Sequence, residues 1–507
     1  MSGVGRTSAV ALLGITGRLV EVEAHLSSQL PGFSIIGLPD ASLGEARERV
    51  RSAASNAGSA LPARKITVNL TPASVPKHGS GFDLAIAIAV FAADGLVRPD
   101  LADVVHIGEL GLDGRVRPVP GVIPMLVTAR AAGATRAVVP AGNHAEARSV
   151  PGIRVDPVVT LRDAAVLAGA DLPEQHAIAV DPPTVQVAEP RQLELADVVG
   201  NDLAVRALVV AAAGGHHMLL LGPPGAGKTM LAERLPGLLP DLDTESALEV
   251  AAVRSVAGLG AESWTTRPPW ESPHHSSSAV ALIGGGSRMI LPGAVSRASS
   301  GVLFLDEATE FPRTVLDMLR QPLESGTVTI HRASGRATFP ARFQLVLAAN
   351  PCPCGNAGSG DPGCSCPPSV VRRYFARLSG PLLDRVDIRF AVPRVTPARI
   401  RAASEQPITT AAAQESITLA RRRMRARWSG TPWSRNAHVS GPVLRRPEFA
   451  PDPGAAAVLD RGLEIGSLTM RGHDRVVRLA WTLADLADVE RPTLDHVRQA
   501  LALRSAL

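Results

Sequence analysis

His217-Met-Leu-Leu-Leu-Gly-Pro-Pro-Gly-Ala-Gly-Lys-Thr229 begins as a short apolar strand and breaks at Gly222 into a turn of glycine, proline and alanine. Lys228 and Thr229 close the turn, and a helical run opens at Met230. Strand, glycine loop and helix in that order let backbone N–H groups converge on an anion. Gly222, Pro223, Pro224, Gly225, Ala226, Gly227, Lys228 and Thr229 are therefore the candidate nucleotide-binding residues. Lys228 is placed to neutralise β and γ phosphates, and the Thr229 hydroxyl to join Mg²⁺. A strand feeding such a loop, followed by alternating strands and helices, implies an α/β unit with a parallel sheet.

Downstream, Val302-Leu-Phe-Leu-Asp-Glu307 is a second apolar strand, ending in two carboxylates. Unpaired charge is costly to bury, so acids at the end of a core strand need a compensating partner. A metal-phosphate site supplies one, with Asp306 holding Mg²⁺ and Glu307 polarising the attacking water. Phe343-Gln-Leu-Val-Leu-Ala-Ala-Asn350 ends on an amide where a parallel sheet presents its ligands. Asn350 either orients the water or simply stops the strand. Ser379-Gly-Pro-Leu-Leu-Asp-Arg-Val-Asp387 places Arg385 among acids, which suits an intradomain salt bridge as well as catalysis.

The chain has 507 residues, enough for about three domains. Residues 1–170 suggest a compact α/β unit and 171–190 a proline-rich linker, with the nucleotide-binding core over 191–393. Residues 394–507 carry an irregular insert at 428–453 and a small helical bundle from Ala455 onward. Aromatic residues make up only 3%, which argues against a stacking platform for single strands, while the net charge of +5 permits nucleic acid without demanding it. Neither a signal peptide nor a membrane-spanning run is evident, so a cytoplasmic location is expected.

All four cysteines, Cys352, Cys354, Cys364 and Cys366, fall in one glycine-rich stretch. Two Cys-x-Cys pairs can wrap a structural Zn²⁺, and reduced or redox-active thiols are the alternative. His274-His275 lacks an accompanying acid or cysteine and is expected to be a structural loop. Gly326 to Phe339 alternates about a turn at Ala333-Ser-Gly335, so Arg332 and Arg336 would tip a β-hairpin, either facing DNA or solvated. Arg421, Arg422, Arg423, Arg425 and Arg427 form a basic helical run, which suits a solvated or a phosphate-contacting face.

GPPGAGKT, VLFLDE, LAANPCPCG and RLSGPLLDRVD together resemble the magnesium-chelatase-like AAA+ ATPases of the ComM/YifB subfamily, and the likeness covers almost the whole chain. The resemblance implies a cytoplasmic ring, usually a hexamer, with ATP between subunits. It places Lys228 and Thr229 on Walker A, Asp306 and Glu307 on Walker B, and Asn350 on sensor 1. Arg385 falls on the arginine finger, and Arg471 on sensor 2 of a C-terminal lid, with Arg475 competing for that role. It further implies an ATP-dependent DNA motor, a branch-migration helicase working with recombination proteins on incoming DNA. A protein unfoldase and a metal-chelatase motor subunit are the rival functions. VPKHGSGFDLAIAIAV and GELGLDGRVRPVPGV resemble the fold shared by Lon-type proteases and a ribosomal S5-like domain. Gly81 stands at the nucleophile position and Ile123 at the lysine position, with Ser80 one residue off. No peptidase activity is expected, and the role of this domain stays open between structure and partner binding.

Overall fold

The computed structural model describes residues 3–37, 44–75, 77, 79, 81–173, 193–259, 264–286, 289–332, 335–357, 364–403 and 406–504. Most of the 171–190 stretch, the hairpin-tip residues 333–334, and Ser80 lie outside them.

The N-terminal part carries a seven-stranded mixed sheet. Its strands are β1 (Val4–Leu13), β2 (Thr16–Ser27), β3 (Gly32–Ile36), β4 (Lys65–Thr71), β5 (Asp100–His106), β6 (Arg136–Pro140) and β7 (Arg154–Val158), in the order β3-β4-β2-β1-β5-β6-β7. Helix α1 (Asp83–Asp94) is apolar all round and, but for its last residue, buried throughout, as expected of a helix enclosed on every side. It ends at Gly95, whose φ of 83° permits the left-handed cap. Its first residue, Asp83, pairs with Arg49 at 2.6 Å. Burial nevertheless pushes this carboxyl up to about 6.

The central part holds a five-stranded, all-parallel sheet. Its strands are β8 (Met218–Leu221), β9 (Trp270–Glu271), β10 (Val302–Leu305), β11 (Gln344–Ala349) and β12 (Ile388–Ala391), in the order β9-β10-β11-β8-β12. Strands covered on both faces become continuous apolar runs, and Val302-Leu-Phe-Leu305 is buried at every residue. One face packs on α2 (Asp202–Gly214) and on the C-terminal helices α3 (Thr410–Arg427) and α4 (Met470–Leu486), in a single continuous core. The opposite face packs on a hairpin, Thr327–Arg332 with Gly335–Pro340, and on the β1–β2 corner through Leu12 and Ile15. The helical C-terminal region is therefore fastened to the sheet.

The basic run on α3 serves neither of the two expected roles as a unit. Arg421 is buried and donates to the Ala212 and Ala213 carbonyls at the end of α2. Arg427 pairs with the buried Asp485, its guanidinium 3.9 Å from the Trp481 ring centroid. Arg423 reaches Asp485 O and Asp488, while Arg422 and Arg425 stay exposed. The run is spent chiefly on docking the C-terminal helices, because orphan carbonyls at a helix end and a buried carboxylate both need cations.

Candidate functional site

The glycine loop follows β8 at the carboxyl edge of the sheet. Gly225 and Gly227 adopt φ of 73° and 87°, and a Cβ at either would meet nothing within 4 Å. The loop thus opens onto free space while its backbone takes a conformation that suits glycine, and both properties fit a phosphate cradle. Lys228 Nζ donates to Gly222 O at 2.8 Å, Pro223 O at 3.0 Å and Asn350 Oδ1 at 3.0 Å. Burial lowers its pKa, and the nearby Asp306 and Glu307 partly oppose that shift.

Thr229 Oγ1 donates to Asp306 Oδ2 at 2.7 Å, so the two residues expected to share Mg²⁺ already meet. Asp306 Oδ1 also accepts the Glu307 N–H at 2.9 Å. Glu307 sits in the left-handed region at φ 49°, a strain of roughly 1–3 kcal/mol for a residue with a side chain. Its carboxylate faces His275 Nδ1 at 3.2 Å. His275 is thus part of the site and not merely loop. The His274-His275 pair gave no signal of this, because the acid it meets follows a strand about thirty residues further along the chain.

The arginines lie elsewhere. Arg385 and Asp387 precede β12, and Met218 pairs with Ile388, so these residues stand at the amino edge of the sheet while the loop leaves its carboxyl edge. At about 3.3 Å per residue, a four-residue strand puts about 13 Å between the two edges. Around the amino edge opens a cavity of about 940 Å³ lined by Arg385, Arg471, Arg475, Arg421, Asp384 and Asp387, among others. Arg385 pairs with Glu324 and donates to Pro381 O at 2.5 Å, yet its buried Nε has no partner among the described residues. Desolvation, followed by the nearby Arg320, Arg475 and Arg471, lowers its pKa, as happens where cations outnumber anions.

Arg471 and Arg475 differ sharply. Arg471 is 79% exposed and loosely paired with Asp384 at 3.3 Å, whereas Arg475 is spent on the buried Asp387. Asp387 also meets His216 Nδ1 at 2.9 Å, and His216 Nε2 meets Thr482 Oγ1 of α4 at 2.8 Å. This network fastens the C-terminal helices to the sheet, and it was not evident in the sequence because its paired members are 88 to 266 residues apart.

Two further groups surround the loop. A second cavity of about 410 Å³ is lined by Gly200, Asn201, Phe390 and Pro393, among others. Asn201 Nδ2 donates to Ala226 O at 3.3 Å and its buried Oδ1 has no partner among the described residues. Beyond Asn350, the sulfurs of Cys352, Cys354, Cys364 and Cys366 all lie within 4.8 Å of one another. Gly355 of the same segment presses against the loop, where a Cβ would come within 2.5 Å of Pro224.

Arg332 and Arg336 lie exposed at the free end of the hairpin, with Val328, Ile330, Ala337 and Phe339 buried beneath. In the N-terminal domain Ile123 is fully buried and Gly81 has no side chain, so neither supplies catalytic chemistry. Lys77 Nζ is sequestered there by three carbonyls, Gly37 O at 2.8 Å, Leu70 O at 3.0 Å and Pro72 O.

Among the described residues no helix is long and apolar enough to cross a membrane. Three family models match: "Magnesium chelatase, subunit ChlI" over residues 194–400, "Subunit ChlI of Mg-chelatase" over 22–143, and "Magnesium chelatase, subunit ChlI C-terminal" over 407–504. Similarity to Lon protease of Mycolicibacterium smegmatis is partial, 29% identity over 34% of this chain and 23% of that one. Competence protein ComM of Haemophilus influenzae is 40% identical, across 98% of this chain and 96% of its own. The uncharacterized protein YifB of Escherichia coli shows the same 40% identity and the same coverage. A P-loop beside strand-end acids on a parallel sheet, a Lon-like N-terminal fold, a helical C-terminal region and full-length similarity place this chain in the magnesium-chelatase-like AAA+ family, in its ComM/YifB branch.

Proposed function

We propose that this protein is an ATP-hydrolysing ring motor that remodels DNA. The observation that carries the reading is the separation of one hydrolytic apparatus over two edges of the same sheet. The loop, Asp306, Glu307 and Asn350 stand at one edge, and Arg385 and Arg471 at the other. A subunit built this way completes its site only against a neighbour, whose amino edge offers the exposed Arg471 and, behind it, Arg385. Closed rings, a hexamer here, satisfy every such head-to-tail contact.

Within each site Lys228 and the loop N–H groups bind the phosphates, Thr229 and Asp306 hold Mg²⁺, Glu307 takes the proton from water and Asn350 orients it. Bound Mg²⁺ supplies charge neutralisation on the phosphate oxygens. The cysteine cluster suits structural Zn²⁺: Zn–S bonds of about 2.3 Å imply tetrahedral S–S edges of roughly 3.8 Å. The Cys352–Cys364, Cys354–Cys364 and Cys352–Cys354 distances are 3.8, 3.6 and 3.2 Å, so the cluster approaches that edge without matching it throughout, and all four thiols are free.

DNA is the substrate class favoured by Arg332 and Arg336, two guanidiniums on a hairpin end that can follow phosphates without reading bases. The name of the relative called a competence protein is in keeping with a DNA substrate, and the family resemblance extends the proposal to branch migration on incoming DNA, with recombination proteins as partners. The test measures ATPase rate without DNA and with single strand, duplex and a four-way junction, in the parent and in an Arg332→Ala/Arg336→Ala variant. The variant is expected to keep basal turnover and lose stimulation. Each lost phosphate contact should flatten the slope of log affinity against log salt by roughly 0.7 to 0.9. Unchanged affinity, slope and stimulation would remove DNA from the hairpin.

A further inference from the structure

Eight arginines and four carboxylates line the amino-edge cavity, so cations are in excess there. All four carboxylates are already engaged. Glu324 pairs with Arg385, Asp384 with Arg471, and Asp387 with Arg475 and His216. Asp243 accepts the Ser246 N–H at 2.8 Å and so caps the helix over Thr244–Val256. The arginines themselves fall into two groups. The charges that bear on Arg385 are Arg320, Arg475 and Arg471, whereas those that bear on Arg421 are Arg435 and Arg425.

The second group holds no carboxylate in an ion pair among the described residues. The buried Arg421 donates through Nε to Ala213 O at 3.3 Å and through Nη2 to Ala212 O at 2.6 Å, which leaves its Nη1 over. Arg435 is half-buried against the end of α2, where a Cβ at Gly215 would sit 2.9 Å from its Cδ and 3.6 Å from its Nη1. Its guanidinium has no acceptor among the described residues. Desolvation lowers the pKa of both, and the neighbouring guanidiniums add to the shift, Arg435 and Arg425 at Arg421 and Arg425 at Arg435. Carbonyls solvate a guanidinium without cancelling its charge, so gathering like charges in a recess is costly unless an anion joins them.

We infer that Arg421, Arg425 and Arg435 form a binding site for a small, multiply charged phosphate anion, separate from the nucleotide site. Guanidinium forks present paired N–H groups that match phosphate oxygens, and three of them converging suit a ligand with more than one negative charge. The recess suits a compact anion. Bound there, the anion would join α3, the end of α2 and the 428–453 segment, the pieces that carry the three arginines and fasten the C-terminal helices to the sheet. Its presence therefore tightens that docking without touching the glycine loop.

The experiment titrates pyrophosphate by calorimetry into the full chain, with the glycine loop first filled by a non-hydrolysable ATP analogue and Mg²⁺, in chloride buffer of fixed ionic strength. The parent should show saturable binding. Arg435→Gln and the exposed Arg425→Gln should each weaken it about ten-fold or more, the worth of one charge-assisted hydrogen bond. Arg471→Ala should keep the parental affinity, because that arginine belongs to the other group. Thermal melts add a readout of opposite sign. Without pyrophosphate, Arg435→Gln should melt at or above the parent, since repulsion is relieved, whereas an arginine that only docks helices would lower the midpoint when replaced. Pyrophosphate should raise the midpoint of the parent and not that of Arg435→Gln. No saturable binding in the loaded parent, or parental affinity in both glutamine variants, would overturn the inference. Loss of binding in Arg471→Ala alone would do so too, by moving the anion to the arginines of the nucleotide site.

Discussion

Lys228 Nζ donates to Asn350 Oδ1 across 3.0 Å, so the loop lysine and the amide at the end of the adjacent strand form one polar unit. Asn350→Ala leaves Lys228 two carbonyl acceptors and is expected to alter nucleotide affinity only slightly. Turnover should fall by about 10²-fold or more, the usual effect of losing one preorganised polar group. Equilibrium binding beside steady-state ATPase checks this. A matched loss in both would make Asn350 a support for the loop alone.

Glu307→Gln should bind ATP nearly as the parent does and stall hydrolysis, because an amide can hydrogen-bond water but accepts its proton poorly. Lys228→Ala should instead weaken binding. Parental turnover in Glu307→Gln would remove that residue from catalysis.

Arg385→Ala and Arg471→Ala should fold normally, with the former losing about 10³-fold in turnover. Mixing Arg385→Ala with Lys228→Ala subunits should recover activity at junctions that pair an intact arginine with an intact loop. Arg475→Ala should behave differently, costing about 3–5 kcal/mol of stability because it leaves the buried Asp387 without its cation. Denaturant melts separate the two classes, and failure of every mixture to recover would contradict a site shared between subunits.

Acid should loosen the lid. Burial pushes the Asp387 carboxyl up, but Arg475, the His216 hydrogen bond and the charges of His216 and Arg478 outweigh it and hold the group well below the usual carboxylate range. A carboxyl depressed in the folded state contributes stability above its unfolded pKa of about 3.9 and loses it as pH falls toward the folded value. Urea midpoints measured from pH 7 down through pH 3 should therefore fall more steeply in the parent than in Asp387→Asn. Parallel curves would show that this carboxylate is not the acid-sensitive group.

Protein purified without chelator should carry about one zinc per chain, and Cys352→Ser or Cys366→Ser should lose it. Because Gly355 touches Pro224, metal loss should also weaken nucleotide binding. Metal analysis below half an equivalent in reduced protein would favour free thiols.

The phosphate loop and the acids after Leu305 were legible because each is contiguous in the chain and lies where a buried strand must end. The contact between Thr229 and Asp306 then follows from two strands of one sheet separated only by β11. The role of the α3 arginines was not legible. Arg421 answers carbonyls at Ala212 and Ala213, and a run of cations carries no mark of such distant acceptors. His275 was obscured for the same reason, since the sequence pattern of a loop is silent about the carboxylate it will meet. Arg471 and Arg475 look alike on one helix, and only the depth of Asp387 distinguishes them.

Gly14, at the corner between β1 and β2, sits where a Cβ would lie 3.1 Å from Thr338 O and 3.3 Å from Ala337 Cβ of the hairpin, while Leu13 covers Gly335. The N-terminal domain is thus braced against the hairpin that carries Arg332 and Arg336. A second brace joins Ser255 Oγ to the buried Glu146 of the N-terminal domain at 2.8 Å. Neither brace includes a residue of the glycine loop, nor Asp306, Glu307 or Asn350. On the proposed motor reading, damage there would leave ATP turnover running while its coupling to the hairpin is lost, so the two would fail independently.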